Sequence, residues 1–176
     1  MGLTEQILVF RCQLGDELAF EQLLTDYDSR LRYYVRRILG SSDKAEDIMQ
    51  VVWLTVWRQL PKLRNVEAFR LWLYRIARNI AFQSLRVSSK ELALCDDLGA
   101  PDEQDETFTP EDAAAIHAAL DRLNPAHKEA LVLRFLEGMA YEEIAQLVGC
   151  PLGTIRSRIH YAKKALRREM EACYGK

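Results

Sequence analysis

The sequence is poor in cysteine and proline, with four and five respectively among 176 residues. Cys12, Cys95, Cys150 and Cys173 stand far apart and form no C-x-x-C pair. A disulfide framework or a structural zinc site therefore has nothing to start from, and buried or incidental thiols are expected. His117, His127 and His160 show no metal-ligand spacing either, so no metal or cofactor is expected. No apolar run approaches the roughly 20 residues that cross a bilayer, and the first residues carry no basic leader. The expectation is a soluble, cytoplasmic protein with no membrane contact of its own. Strand-like alternation bounded by turn dipeptides is also missing.

What is present is a chain that can bury a core, with 49% hydrophobic and 28% charged residues. Its net charge of −2 is an average that conceals a pattern. Residues 1–90 hold 14 Lys/Arg against 10 Asp/Glu, residues 91–112 hold none against 9, and residues 113–176 hold 10 against 7. Two mildly basic blocks flank a strongly acidic strip.

Glycine and proline sit at plausible helix ends. Thr4 is placed to cap a short helix ending near Leu14-Gly15, and Asp16 opens a long one. That second helix runs through Leu18, Leu23, Leu24, Tyr27, Leu31, Tyr34, Val35 and Ile38 to Gly40. Asp43-x-x-Glu46 resembles a capping box for a helix reaching Leu60 before Pro61, and a fourth helix spans about 67–86. Residues 87–111 lose periodicity and hold nearly all the excess acid, which reads as a flexible linker. Thr109-Pro110 and Asn124-Pro125 restart order, and helices follow near 110–123, 125–137, 141–148 and 152–172. The predicted fold is all-α, with two small helical domains, 1–88 and 110–176, joined by an acidic linker over 89–109.

In the second domain, residues 141–148 and 154–166 are joined by Gly149-Cys-Pro-Leu-Gly153, a short helix, a tight turn and a longer helix: a helix-turn-helix. Ile155, Ile159, Ala162 and Leu166 fall at 4, 3, 4 spacing and form its inward stripe. On the other side lie Ser157, His160, Tyr161, Lys164 and Arg168, flanked by Arg156 and Lys163. Arg158 projects near the edge of the buried stripe, where an intramolecular role is as good a reading as DNA. From Thr154 to Arg168 there are six Lys/Arg and no acid, whereas a merely solvated face usually mixes both signs. A cationic, donor-rich face suits duplex edges and phosphates.

In the first domain, the helix near 67–86 turns Phe69, Leu73, Ile76 and Ile80 inward. A second stripe, Trp72, Arg75, Asn79, Phe82 and Arg86 with Gln83 adjacent, interleaves aromatics, cations and amides. Aromatic faces stack on unpaired bases while cations hold the backbone. The same aromatics are equally at home in a core. The helix near 43–60 is apolar on most sides (Met49, Val51, Trp53, Leu54 and Trp57), so it is either central in its bundle or partly covered by another protein.

These segments together carry a likeness. Phe69-Arg-Leu-Trp-Leu-Tyr-Arg-Ile-Ala-Arg-Asn79, Ala45-Glu-Asp-Ile-Met-Gln50 with Trp53 and Trp57, Leu133 to Ala145, and Gly153-Thr-Ile-Arg-Ser-Arg158 resemble regions 2.3/2.4, 2.2 and 4 of a bacterial RNA polymerase sigma factor of the extracytoplasmic-function (ECF) group, within the sigma-70 family. The resemblance implies that Asp47, Gln50, Val51 and Leu54 meet core RNA polymerase, whose β′ clamp and β flap are the expected contacts. It implies that Arg64, Asn65, Trp72, Arg75, Asn79, Gln83 and Arg86 meet the melted minus-10 promoter element. Thr154, Arg156, Ser157, His160, Tyr161 and Lys164 would read the minus-35 element as duplex. It further implies an anti-sigma partner, and a linker whose acid suits a basic polymerase channel. Three positions depart from the family pattern. Val51 stands where Glu is usual, Tyr161 where Arg is frequent, and Ala140 where a capping Ser is usual.

Two rival readings remain at this level. A helical sensor fused to a DNA-binding helix-turn-helix would have no use for the aromatic–cationic stripe. A nucleic-acid enzyme would need clustered carboxylates, and the nearest pairs are Glu142-Glu143 at a helix start and Asp96-Asp97 in the linker. No catalytic residue is expected.

Overall fold

The computed structural model describes residues 2–40, 44–85 and 113–174. The chain divides into two compact units, Met1–Ser88 and Ser89–Lys176. No strand occurs among the described residues, in agreement with the all-α expectation. No helix among them is long and apolar enough to cross a membrane. The Asp43 cap, the Thr109-Pro110 restart and the acidic linker lie outside the described residues.

The first unit is built from α1 (Leu3–Gln13), α2 (Glu17–Leu39), α3 (Ala45–Gln59) and α4 (Phe69–Ser84). Short 3-10 turns at Leu60–Lys62 and Val66–Ala68 join α3 to α4. Thr4 does not cap α1; the helix starts at Leu3, and the capping position is Gly2, two residues earlier than Thr4, without a side-chain cap. Asp16 does open α2, accepting from the backbone N–H of Ala19 at 3.1 Å. Gly40 closes that helix at φ +70°, a left-handed conformation that glycine adopts at little cost.

The α2 stripe is Leu23, Tyr27, Leu31, Tyr34 and Val35, all buried. Leu18 was expected in it and is 72% exposed. The reason is phase: five residues before Leu23 is about 140° away around a helix of 3.6 residues per turn. Tyr34 meets Tyr74 at 5.3 Å and Tyr27 meets Phe69 at 5.6 Å between ring centroids, which ties α2 to α4. α3 completes the bundle with Ile48, Met49, Val52, Trp53 and Val56. The indole N–H of Trp53 is satisfied by Asp28 at 2.9 Å.

The corner between α1 and α2 is fixed by charge and backbone together. Arg11 pairs with Asp16 at 2.7 Å, and Gly15 turns at φ +87°. The Ala19 N–H, then the Arg11 guanidinium, hold the Asp16 carboxyl below the usual carboxylate range. Cys12 is buried in the same corner, where burial and the nearby Asp16 push its thiol up to about 11. It stays protonated and unreactive at neutral pH.

The second unit consists of α5 (Ala113–Arg122), α6 (Pro125–Leu131), α7 (Tyr141–Val148) and α8 (Leu152–Tyr174). Asn124 caps α6 through the His127 N–H at 2.8 Å, with Pro125 in the first turn. A wider, π-type turn at Val132–Leu136 then ends the helix before Gly138, which sits at φ +63°. The core gathers Ala119, Leu120, Leu123 and Leu131 on Ala162, Leu166 and Met170 of α8.

Because Asp16 has a lowered carboxyl pKa in the folded state, its contribution is complete above the ordinary carboxylate pKa and is lost as pH falls through the lowered value. Asp16→Ala should destabilise the fold at neutral pH, and Asp16→Asn, which still caps, should cost less. Urea denaturation from pH 7 to pH 3 measures both. A mutant penalty that does not shrink on acidification would contradict the assignment.

Candidate nucleic-acid interface

Alpha4 has one face for the bundle and one for solvent. Phe69, Leu73, Tyr74, Ile76, Ala77 and Ala81 are buried. Arg75, Asn79 and Gln83, spaced at i, i+4 and i+8, form an exposed line with the half-buried Trp72 beside it. The Trp72 ring lies 5.9 Å from that of Phe69, so one aromatic anchors the other at the edge of the core. Ile80, expected inward, is only partly buried.

For Phe82 the core reading of the two left open by its spacing holds: it is 6% exposed, with the Arg78 guanidinium 4.6 Å over its ring. The arginine is itself buried and covers the aromatic face, so Phe82 presents no stacking surface to a base. Arg86 lies outside the described residues.

Arg64 and Asn65 are exposed on the segment that leads into α4. The Asn65 side chain accepts from the Glu67 N–H at 3.0 Å, and its carbonyl accepts from the Ala68 N–H at 3.2 Å. At the other end of the segment, the Gln13 carboxamide donates to the carbonyls of Leu60 at 3.1 Å and Leu63 at 2.7 Å. Gln13 was missed by the sequence reading. No local pattern marks it, since its partners lie 47 and 50 residues away.

On α3, Asp47, Gln50, Val51 and Leu54 are all exposed and share one side of the helix. Val51 and Leu54 are 49% and 56% exposed, and Trp57 at the edge is 42% exposed, held edge-on by Phe20 at 4.7 Å. Met49 and Trp53 are buried. The helix is thus both central to its bundle and apolar on part of its open face.

In the second unit, the inward stripe of α8 lies where its spacing predicts: Ile155, Ile159, Ala162 and Leu166 are all at most 3% exposed. Ile144 and Leu147 of α7 are buried with them, and Gly149 makes the turn between the helices at φ +80°. Arg156, Lys164, Arg167 and Arg168 are exposed, while Thr154, His160, Tyr161 and Lys163 are half-buried. His160 and Tyr161 meet edge to face at 5.3 Å.

Ser157, expected on the polar face, is instead 4% exposed, and its hydroxyl donates to the carbonyls of Gly153 and Thr154 on its own helix. A serine in the second turn of a helix satisfies itself this way, on the i−4 and i−3 carbonyls, so it is turned off the polar face. Arg158, at 7% exposure, belongs to the interior, the intramolecular one of the two readings its position left open. Ala140 lacks a capping side chain, but Glu143 supplies half of a capping box by accepting from the Ala140 N–H at 2.7 Å. Arg134 reaches the Met139 carbonyl at 3.2 Å and lies 4.9 Å over the Tyr141 ring, bracing the start of α7. No cluster of three His, Cys, Asp or Glu able to hold a metal occurs among the described residues.

Comparison with known proteins adds the following. Residues 23–91 match the family model described as Sigma-70 region 2, and residues 113–166 match that described as Sigma-70, region 4. The RNA polymerase sigma-H factor of Pseudomonas aeruginosa is 34% identical over 95% of this chain and 94% of its own. The ECF RNA polymerase sigma-E factor of Escherichia coli is 33% identical over 96% of this chain and 95% of its own. Among solved structures, the sigma factor RpoE of Bartonella quintana, in complex with the anti-sigma factor NepR, aligns with a TM-score of 0.66 at 27% identity. That alignment covers 86% of this chain and 96% of that one. CnrH, solved with the cytosolic domain of CnrY, aligns at 0.70 and 22% identity over 96% and 97%, a likeness of fold.

The burial of Phe82 is testable. Phe82→Ala should lower the unfolding free energy by about 3–5 kcal/mol in urea, as for other buried phenylalanines. Gln83→Ala, one residue on but exposed, should stay within about 0.5 kcal/mol. Equal small changes for both would put Phe82 with Trp72 and Arg75 on the open side of the helix.

Proposed function

The chain belongs to the sigma-70 family, in its ECF group, and from that premise we propose how its surfaces divide the work of starting transcription. The protein binds core RNA polymerase, recognises the minus-10 and minus-35 promoter elements and directs initiation, and it is controlled by an anti-sigma factor. It acts in the cytoplasm and performs no chemistry of its own; the polymerase does. The observation that carries this reading is the pairing of two outward polar faces, on α4 and α8, each held by a buried stripe on its other side.

The α3 face of Asp47, Gln50, Val51 and Leu54 takes the β′ clamp. A carboxylate and an amide beside exposed aliphatic carbon suit a polar-rimmed apolar contact. Val51 in place of the usual Glu makes that contact more apolar. Such a patch costs exposure in the free protein, which favours a covering partner, either polymerase or the anti-sigma factor.

Trp72, Arg75, Asn79 and Gln83, with Arg64 and Asn65, take the unpaired minus-10 strand. A half-buried indole offers an edge for stacking, and the amides and cations offer donors to base edges and backbone. Duplex DNA cannot use this surface, so binding it shifts the population towards the melted form. Thr154, Arg156, His160, Tyr161 and Lys164 take the minus-35 element in the major groove. Tyr161 in place of the frequent Arg exchanges a charge contact for a ring. Ser157 drops out of this set because its hydroxyl is spent on its own helix. Each contact is weak alone, and tethering to polymerase makes the second one effectively intramolecular.

The test is run-off transcription on genomic fragments by core polymerase with and without the purified protein, with start sites mapped. Discrete starts that depend on the protein are expected. Leu54→Asp, a charge on an exposed position, should leave folding intact and weaken polymerase binding at least roughly tenfold, about 1.4 kcal/mol. Protein-independent starts, or unchanged polymerase binding by Leu54→Asp, would overturn the reading.

A further inference from the structure

The segment between α3 and α4 is short, largely exposed and held by few groups. Leu60 is buried at 1% exposure and anchors its start. Asn65 secures its end by bonding to the Glu67 N–H. Between them Leu63 runs extended (φ −69°, ψ 111°) before the exposed Arg64 and Asn65. The Leu63 N–H donates to the Leu60 carbonyl at 3.1 Å and closes the 3-10 turn, but the Leu63 carbonyl beyond it looks outside the turn for a donor. The half-buried Gln13 spans both, with the two amide donations of one side chain going to Leu60 and Leu63. Gln13 is itself the last residue of α1, at the corner fixed by the Arg11–Asp16 pair and Gly15.

We propose that Gln13 is a positioning residue for promoter specificity: its carboxamide clamps the Leu60–Leu63 backbone so that Arg64 and Asn65 meet one base of the minus-10 strand in fixed register. This rests on the reading that Arg64 and Asn65 face that strand. Discrimination between bases needs donors held to within roughly 0.5 Å, and an extended segment tethered only at its ends does not supply that. The clamp also gives α1 a part in promoter reading although it contributes no residue to the proposed DNA-facing set. Its rigid corner transmits position, not contact.

The experiment uses holoenzyme reconstituted from core polymerase and the full chain. Single-stranded minus-10 oligonucleotides carrying each base at each position compete for binding, which yields a discrimination ratio per position. Arg64→Ala/Asn65→Ala first identifies the position that the segment reads. If no position loses discrimination, the segment does not read the strand, and both the underlying reading and the role of Gln13 fall. Gln13→Met then keeps the shape without the donors, and Gln13→Glu keeps the shape but turns acceptors towards the two carbonyls. Both should lower the ratio at that one position about fivefold, the weight of a lost hydrogen bond. Ratios at the other positions and polymerase affinity should stay within about twofold. Wild-type ratios in both variants would overturn the role of Gln13 alone, and so would a uniform loss at every position, which a merely structural residue produces.

Discussion

Burial on one side of a helix decides what its other side can offer, and both candidate DNA faces of this protein depend on that. On α8 the stripe Ile155, Ile159, Ala162 and Leu166 is almost fully buried, and this alone sets the rotation that turns Arg156 and Lys164 outward. On α4 the buried Leu73, Tyr74 and Ala77 do the same for Arg75 and Asn79. Each buried aliphatic side chain contributes about 1.5–3 kcal/mol, more than any exposed charge contact repays, so the phase is set by the core and the function inherits it.

The same reasoning separates residues that support a face from those that form it. Arg78 adjoins Asn79 in the chain and Phe82 follows about one turn later, but the two are spent on each other inside the bundle. Arg134 and Glu143 brace the start of α7 without any capping side chain from Ala140. The proposed minus-10 surface draws on two kinds of backbone, a regular helix for Trp72 to Gln83 and an irregular segment for Arg64 and Asn65. A helix fixes its side chains by its own ladder, whereas the segment depends on neighbours such as Leu60 and Gln13.

Much of this was legible before the structure. The helical class, the Asp16, Gly40, Asn124 and Gly149 helix ends and the whole α8 stripe follow from capping chemistry and a 3.6-residue period. What escaped is what period cannot encode. Leu18 looked like a stripe residue because it is apolar, yet it is out of phase. Phe82 looked available because spacing does not reveal a guanidinium folded over a ring. Ser157 looked like a base reader because composition does not say that a hydroxyl will bond back to its own helix. Gln13 was invisible because its partners are distant in sequence.

The proposed division of labour is that the α8 face recruits duplex while the α4 face captures melted strand. Permanganate reactivity of minus-10 thymines, measured beside the total binding of holoenzyme to a promoter, separates the two steps. With Asn79→Ala, near-normal binding and little thymine reactivity are predicted. With Arg156→Ala, weakened binding but normal reactivity in the complexes that form is predicted. If both variants lost the same step to the same extent, the division would be contradicted.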